Sequence, residues 1–278
     1  MKPLRQVLQD YKKQGKALPA FNIDSFEIYQ AVELAVDQTN LPAIVQLSPS
    51  EDKFIEAERL LMLVKKAQID GLPIYLNMDH GKIPPELSYL LSLGFDMAHF
   101  DGSSLSLEEN TFAAKNLVAA IRSASPEKLI EVEFNKIELV DSHLSTDSFT
   151  DPVQAKEFMI TTGADLLAVS IGNLHGVSAK TPEKLDLGLL DSISQSLPDN
   201  FLTLHGGSGI DNQEIQKAIK LGITKININT ELRLEFRKSL QKQLDGNQSE
   251  KIYEYLAPVI ADIKTLIVTR LNQFAQNI

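Results

Sequence analysis

The chain carries five histidines and no cysteine. A transition-metal site must therefore draw on imidazole and carboxylate, and a thiolate nucleophile is excluded. Three of the histidines, His80, His175 and His205, share a setting. Each closes or follows a short β-rich apolar run: PIYLNMD (73–79), LLAVSIG (166–172) and FLTLHGG (201–207). Three neutral imidazoles that converge can hold Zn²⁺ and leave a coordination position for substrate. Any one alone reads as a packed or surface histidine; three in one setting read as a metal centre. Asp79 directly precedes His80, where a carboxylate can serve as general acid/base or orient a ligand imidazole. His99 shares the parity of Asp101 two residues on, but lies deeper in its strand and is assigned a structural role. His143 falls in a polar loop and reads as solvated.

These side chains need a scaffold that brings distant positions to one place. Besides the three runs above, PAFNI (19–23), AIVQLS (43–48), MAHFD (97–101), IEVEF (130–134) and ITKININT (223–230) read as strands. Amphipathic stretches such as IEAERLLMLVKKAQIDG and NQEIQKAIKLG separate them, several ending in Gly or Asn as a helix C-cap does. Eight βα units in 278 residues predict an α/β fold, a closed (β/α)₈ TIM barrel. It is expected to fill a single domain over 1–278, with a C-terminal helical extension after about residue 231. Barrels of this kind place chemistry at the C-terminal ends of their strands. The polar residues there are Asn22, Ser48, Asp79, His80, Asp101, Glu133, His175, His205, Asn227 and Thr230.

HGGSG (205–209) opens the helix after strand 7. Bare backbone N–H groups and a helix N-terminus can cradle a phosphate there. Asn227 and Thr230 would supply the opposite wall, and Lys180 a cationic contact. The long polar stretch 135–152 after strand 5 reads as a lid or a solvated connection. A net charge of −10 offers no basic field for nucleic acid or anionic lipid. No run approaches the ~20 apolar residues of a membrane span, and MKPLRQVLQDYKKQGKALPAF lacks a signal-peptide core. A cytoplasmic protein that holds its anionic ligand by local devices is expected.

The pieces PAFNI, VQLS, MDHG, FDGSSLSLEEN, IEVEF, IGNLHGVSAKTP, LHGGSGI and KININTEL, in this order and spacing, resemble the class II, zinc-dependent fructose-/tagatose-bisphosphate aldolases over nearly the whole chain. The resemblance implies aldol cleavage of a ketose bisphosphate to dihydroxyacetone phosphate and an aldehyde. It assigns the proton transfer at the aldehyde oxygen to Asp79 and the zinc ligands to His80, His175 and His205. Asp101 and Glu133 match positions that steady those ligands or hold an alternative metal position. Contacts to dihydroxyacetone phosphate carry over to Gly176, Lys180, Gly206, Gly207, Ser208, Asn227 and Thr230, and Asn22 and Ser48 match residues lining the substrate site. One zinc per subunit, a monovalent cation (Na⁺ or K⁺) near the phosphate, and a homodimer or homotetramer are further implications.

The departures fall on the aldehyde half. Asn77 stands where the family commonly has histidine, and FNKIELVDS (134–142) lacks the usual loop glycines. Asp141 aligns best with the carboxylate that moves the α-proton, with Glu138 as fallback. Asn229 matches neither the Asp of fructose-specific nor the Ala of tagatose-specific members. NQSEK (247–251) replaces the distal-phosphate arginine motif, leaving Lys251 as a substitute. A glyceraldehyde phosphate, a bisphosphate of other configuration such as tagatose bisphosphate, and an aldehyde without a second phosphate all remain open. The competing readings are a non-catalytic sugar-phosphate-binding paralogue and a metal-dependent barrel hydrolase.

Overall fold

The computed structural model describes residues 1–139, 148–176, 184–246 and 248–276. The first half runs α1 (Leu4–Gln14), β1 (Leu18–Asn22), α2 (Phe26–Thr39), β2 (Ala43–Leu47), α3 (Pro49–Ile55), α4 (Ala57–Ile69), β3 (Ile74–Gly81), α5 (Pro84–Leu93), β4 (Met97–Asp101) and α6 (Leu107–Ala124). The second runs β5 (Leu129–Glu133), α7 (Pro152–Thr162), β6 (Leu166–Val169), α8 (Leu187–Ser196), β7 (Phe201–Leu204), α9 (Asn212–Lys220), β8 (Ile223–Ile228), α10 (Thr230–Gly246) and α11 (Ile252–Phe274). All eight strands pair in parallel and close in sequence order, with β8 beside β1. The chain is a TIM barrel.

Strand limits depart from the apolar runs where backbone geometry intervenes. β6 and β7 stop at Val169 and Leu204, because Gly172 (φ 100) and Gly206 (φ 65) turn the chain in conformations that other residues rarely adopt. Asn229 and Thr230 leave β8 and open α10. β3 instead runs on to Gly81, through a register shift between Met78 and Gly81.

The two ends of the barrel are built differently. Leu4, Val7, Leu8 and Tyr11 of α1 seal the N-terminal end, packing on Leu18, Ile44, Tyr75, Met97, Leu129, Leu166 and Phe201. The other mouth is left for polar side chains. Around the outside, serine and aspartate caps start the helices: Ser25 accepts from Ile28 N–H, and Ser48 and Ser106 form capping boxes with Glu51 and Glu109. α11 packs chiefly on α2 and α10 and buries Val259, Ile263, Ile267, Leu271 and Phe274. Burying each contributes about 1.5–3 kcal/mol. Among the described residues, no helix is long and apolar enough to cross a membrane.

Candidate active site and metal centre

Adjacent residues in a strand point to opposite faces, yet both Asp79 and His80 enter the same site. The bulge at the end of β3 makes this possible, with His80 held at φ 53. That left-handed conformation costs a non-glycine residue of order 1–3 kcal/mol, the kind of strain that collects at functional sites.

His80, His175 and His205 come together over the barrel mouth. Their ring centroids lie 5.1 Å (80 to 175), 4.8 Å (80 to 205) and 5.7 Å (175 to 205) apart. The outer nitrogen of His80, Nδ1, is 3.2 Å from Asp101 Oδ2. His205 Nε2 is likewise 2.8 Å from Glu131 Oε1. Carboxylates thus fix both rings, and the nitrogens left over, His80 Nε2 and His205 Nδ1, face each other at 3.1 Å. Two nitrogens bound to one tetrahedral zinc lie about 3.4 Å apart, given Zn–N bonds of about 2.0–2.1 Å. His175 Nε2 is buried without a partner, as a donor aimed at an ion would be. Burial pushes His205 down to about 3, against the hydrogen bond of Glu131, and His175 down to about 4. Both are neutral at pH 7, the form a metal requires. His80 goes the other way: its burial is outweighed by Asp79 and Asp101. Asp79, His80, His99 and His205 form one group able to hold a divalent ion, and His80, Asp101 and Glu133 a second; His175 stands beside His80 and His205 but belongs to neither group.

Asp79 lies at the edge of this set, its Oδ2 4.0 Å from His80 Nε2. Gln46 donates to it at 3.1 Å and Asn227 at 3.3 Å. Burial alone would raise its pKa, but the charge of His80, the hydrogen bond of His99 and the charge of Lys225 hold it well below the ordinary value. Asp79 is therefore ionised at rest. His99 is fully buried, its Nδ1 3.1 Å from the His80 backbone nitrogen and 3.4 Å from Asp79 Oδ1. It packs inside the metal-capable group, closer to the chemistry than a purely structural histidine. Glu133 lies 3.5 Å from His99 Nε2; burial, reinforced by the charge of Asp101, pushes it up to about 8.

Beneath these groups lies a layer that strand-end reading missed. Glu131 and Lys225, both fully buried, pair at 2.9 Å. Lys225 also donates to Asn227 Oδ1 at 2.8 Å. The available signal was parity: each sits two residues before a recognised site residue, Glu133 and Asn227, and so faces inward with it. Asn77, Gln46 and Asn22 form a buried amide chain, Asn77 donating to Gln46 at 2.9 Å and Gln46 to Asn22 at 2.8 Å. Asn22 continues it to Glu51 at 2.9 Å.

The pocket above has a volume of about 370 Å³ and is lined by Asn22, Ser48, Ser50, Asp79, His80, Leu139, His175, Gly176, Gly206, Ser208, Asn227, Asn229, Thr230 and Arg233. Gly206 and Gly207 serve close packing: a Cβ on Gly206 would stand 1.8 Å from Leu174 O, and one on Gly207 would stand 2.5 Å from Ile226 Cγ2. Ser208 Oγ accepts from the N–H groups of Asn229 and Glu231, both at 3.3 Å, at the N-terminus of α10. Glu138 turns its carboxylate to Lys136 at 3.0 Å, while its carbonyl accepts from His175 N–H at 2.8 Å and so positions that imidazole. It is absent from the residues lining the pocket. Lys251 pairs with Glu254 at 3.2 Å at the start of α11, also away from the lining. Asp141, His143 and Lys180 lie outside the described residues. A larger cleft of about 530 Å³ between α3, α4 and α5 contains no histidine.

Comparison with known proteins agrees with this architecture. Residues 2–277 match the family described as fructose-bisphosphate aldolase class-II. A fructose-bisphosphate aldolase of Streptococcus pneumoniae is 30% identical, across 97% of this chain and 96% of that one. The crystal structure of the YdjI aldolase from Escherichia coli K12 superposes with a TM-score of 0.85 at 27% identity, covering 98% of this chain and 96% of the other. A structure described as a putative fructose-1,6-bisphosphate aldolase from Coccidioides immitis shares the fold, with a TM-score of 0.85, 24% identity and 99% of both chains covered. The chain belongs to the class II fructose-bisphosphate aldolase family. It is a lyase.

Proposed function

We propose that this protein reversibly cleaves a ketose phosphate, of the fructose or tagatose 1-phosphate type, to dihydroxyacetone phosphate and an aldehyde, with a zinc ion held by His80, His175 and His205. The observation that carries the reading is the facing pair His80 Nε2 and His205 Nδ1, hydrogen-bonded to each other at 3.1 Å beside an ionised Asp79. A divalent ion taking the place of that hydrogen bond would supply a Lewis acid where negative charge develops on the dihydroxyacetone unit.

The remaining work falls to the chain. Asp79, already a carboxylate, takes the proton of the C4 hydroxyl as the C3–C4 bond breaks. The bonding electrons pass toward C2 while the C4–O bond becomes the aldehyde carbonyl. In cleavage C3 of the departing dihydroxyacetone phosphate takes a proton from a protonated carboxyl group of the loop after β5, Asp141 being the first choice and Glu138 the second. In condensation the same group, as a carboxylate, first removes that proton, and Asp79 returns its own to the aldehyde oxygen as the C3–C4 bond forms. The α10 N-terminus, Ser208, Gly176, Gly206 and Gly207 receive the phosphate, with Lys180 as the cationic contact and a monovalent cation beside it. Asn227 and Thr230 wall that side, and Asn22, Ser48 and Asn229 wall the other. The enzyme acts in the cytoplasm as a homodimer or homotetramer.

The test is exchange of the C3 proton of dihydroxyacetone phosphate with D₂O, together with aldol cleavage, before and after chelation. Both should vanish on chelation and return with zinc. Full activity in metal-free protein would refute the reading.

A further inference from the structure

If Asp79 serves the aldehyde oxygen, as proposed above, the rest of the aldehyde extends from Asp79 away from the phosphate cradle of Ser208, Gly206 and Gly207. The amide chain Gln46–Asn22–Glu51 marks that direction, leading to a rim formed by β1, α3 and the Arg233 side chain, which reaches from α10 to Asp24 and Glu51. Arg233 is the one lysine or arginine among the described residues lining the pocket, and its charge is already taken. It donates through Nε and Nη2 to Asp24, the latter bond at 2.9 Å, and through Nη2 to Glu51 Oε1 at 2.6 Å.

Glu51 is not free to leave. It is only 6% exposed and accepts from Asn22 at 2.9 Å, Ser48 N–H at 2.7 Å and Asn229 at 3.1 Å. One cation between two carboxylates gives the rim no surplus positive charge. Burial pushes Glu51 upward in pKa, opposed by the hydrogen bonds of Ser48 and Asn22. A distal phosphate would have to displace a carboxylate and then lie beside it, a repulsive arrangement of the kind that sets specificity against a competitor. The rim's unfilled capacity is of the opposite kind. Asn229 Oδ1 is buried without a hydrogen-bond partner among the described residues, and the Ser48 and Ser50 hydroxyls stand 3.0 Å apart on the same wall. An orphaned acceptor is satisfied by a hydroxyl donor, which a phosphate dianion does not provide.

We infer that the Asp24–Arg233–Glu51 clasp makes this an aldolase for hydroxyaldehydes without a distal phosphate, with Glu51 as the residue that determines the choice.

The experiment compares condensation of dihydroxyacetone phosphate with four aldehydes: glyceraldehyde, erythrose, glyceraldehyde 3-phosphate and erythrose 4-phosphate. It uses the zinc-loaded enzyme, its Glu51→Gln variant and its Asp24→Asn variant. Wild type should favour the unphosphorylated member of at least one pair in kcat/KM by about tenfold or more. Either variant should move that ratio toward the phosphate ester by about tenfold, a change of preference that general loosening would not produce. Asp24→Asn, at a more exposed position, keeps the test alive should Glu51→Gln misfold. A preference for the phosphate esters in wild type overturns the inference. So does a ratio that stays put in the folded variants, or failure with all four aldehydes while C3–H exchange persists. Loss of that exchange in zinc-loaded wild type instead strikes down the aldolase reading itself, and this inference with it.

Discussion

On the β3–β7 side of the mouth, His80 and His205 each spend one nitrogen on a carboxylate and turn the other toward a common point. On the β1–β2–β8 side, two carboxylates, Asp24 and Glu51, share the one cation Arg233. The first arrangement offers nitrogen donors that can take up a positive ion. The second has no cation to spare and offers neutral polar atoms instead. On the function proposed above, the first side handles dihydroxyacetone phosphate and the second chooses the aldehyde.

The sharpest way to break the comparison is at the metal side. His205→Ala should lose bound zinc and lower kcat/KM by about 10³-fold or more, because a bound ion contributes several kcat-limiting kcal/mol to charge stabilisation. Metal content and cleavage rate read this together, and retained zinc with unchanged turnover would count against it. Next comes Asp79→Asn, expected to keep zinc while kcat falls by about 10²–10⁴-fold. An unchanged kcat would move the proton transfer to another group.

The supporting layer gives a stability effect. Lys225→Met leaves Glu131 charged and buried with no cation beside it, only the hydrogen bond of His205, and should cost about 3–5 kcal/mol in a denaturant titration. The double variant with Glu131→Gln should cost less than the two single changes added together; strict additivity would mean that the pair is not coupled. The smallest effect is expected at Lys251→Ala. This lysine is 63% exposed and pairs with Glu254, so kcat/KM should stay within about twofold, as for other exposed ion pairs. A tenfold loss confined to phosphorylated aldehydes would restore Lys251 as a distal-phosphate contact and weaken the contrast.

Much of this was legible in the sequence because one rule, chemistry at the C-terminal strand ends, converts linear position into spatial neighbourhood. All eight strands were readable from their apolar runs, and His80, His175 and His205 were placed together from strand position alone. Glu131 and Lys225 escaped since a charged residue inside a strand reads as a break in apolar pattern, and its partner is set by barrel closure. The left-handed turn at His80 escaped for a different reason: backbone strain is imposed by the surrounding packing and leaves no mark in residue type. Glu51 looked like an ordinary helix cap, and its bonds to Asn229 and Arg233 arise from contacts 178 and 182 residues apart in sequence.

The most direct measurement is a zinc titration of metal-free protein, comparing wild type with His80→Ala, His175→Ala and His205→Ala in the same buffer. The account predicts saturation near one tight ion per chain in wild type, and loss of that tight binding in each variant. Undiminished affinity in any one of the three would contradict the shared centre.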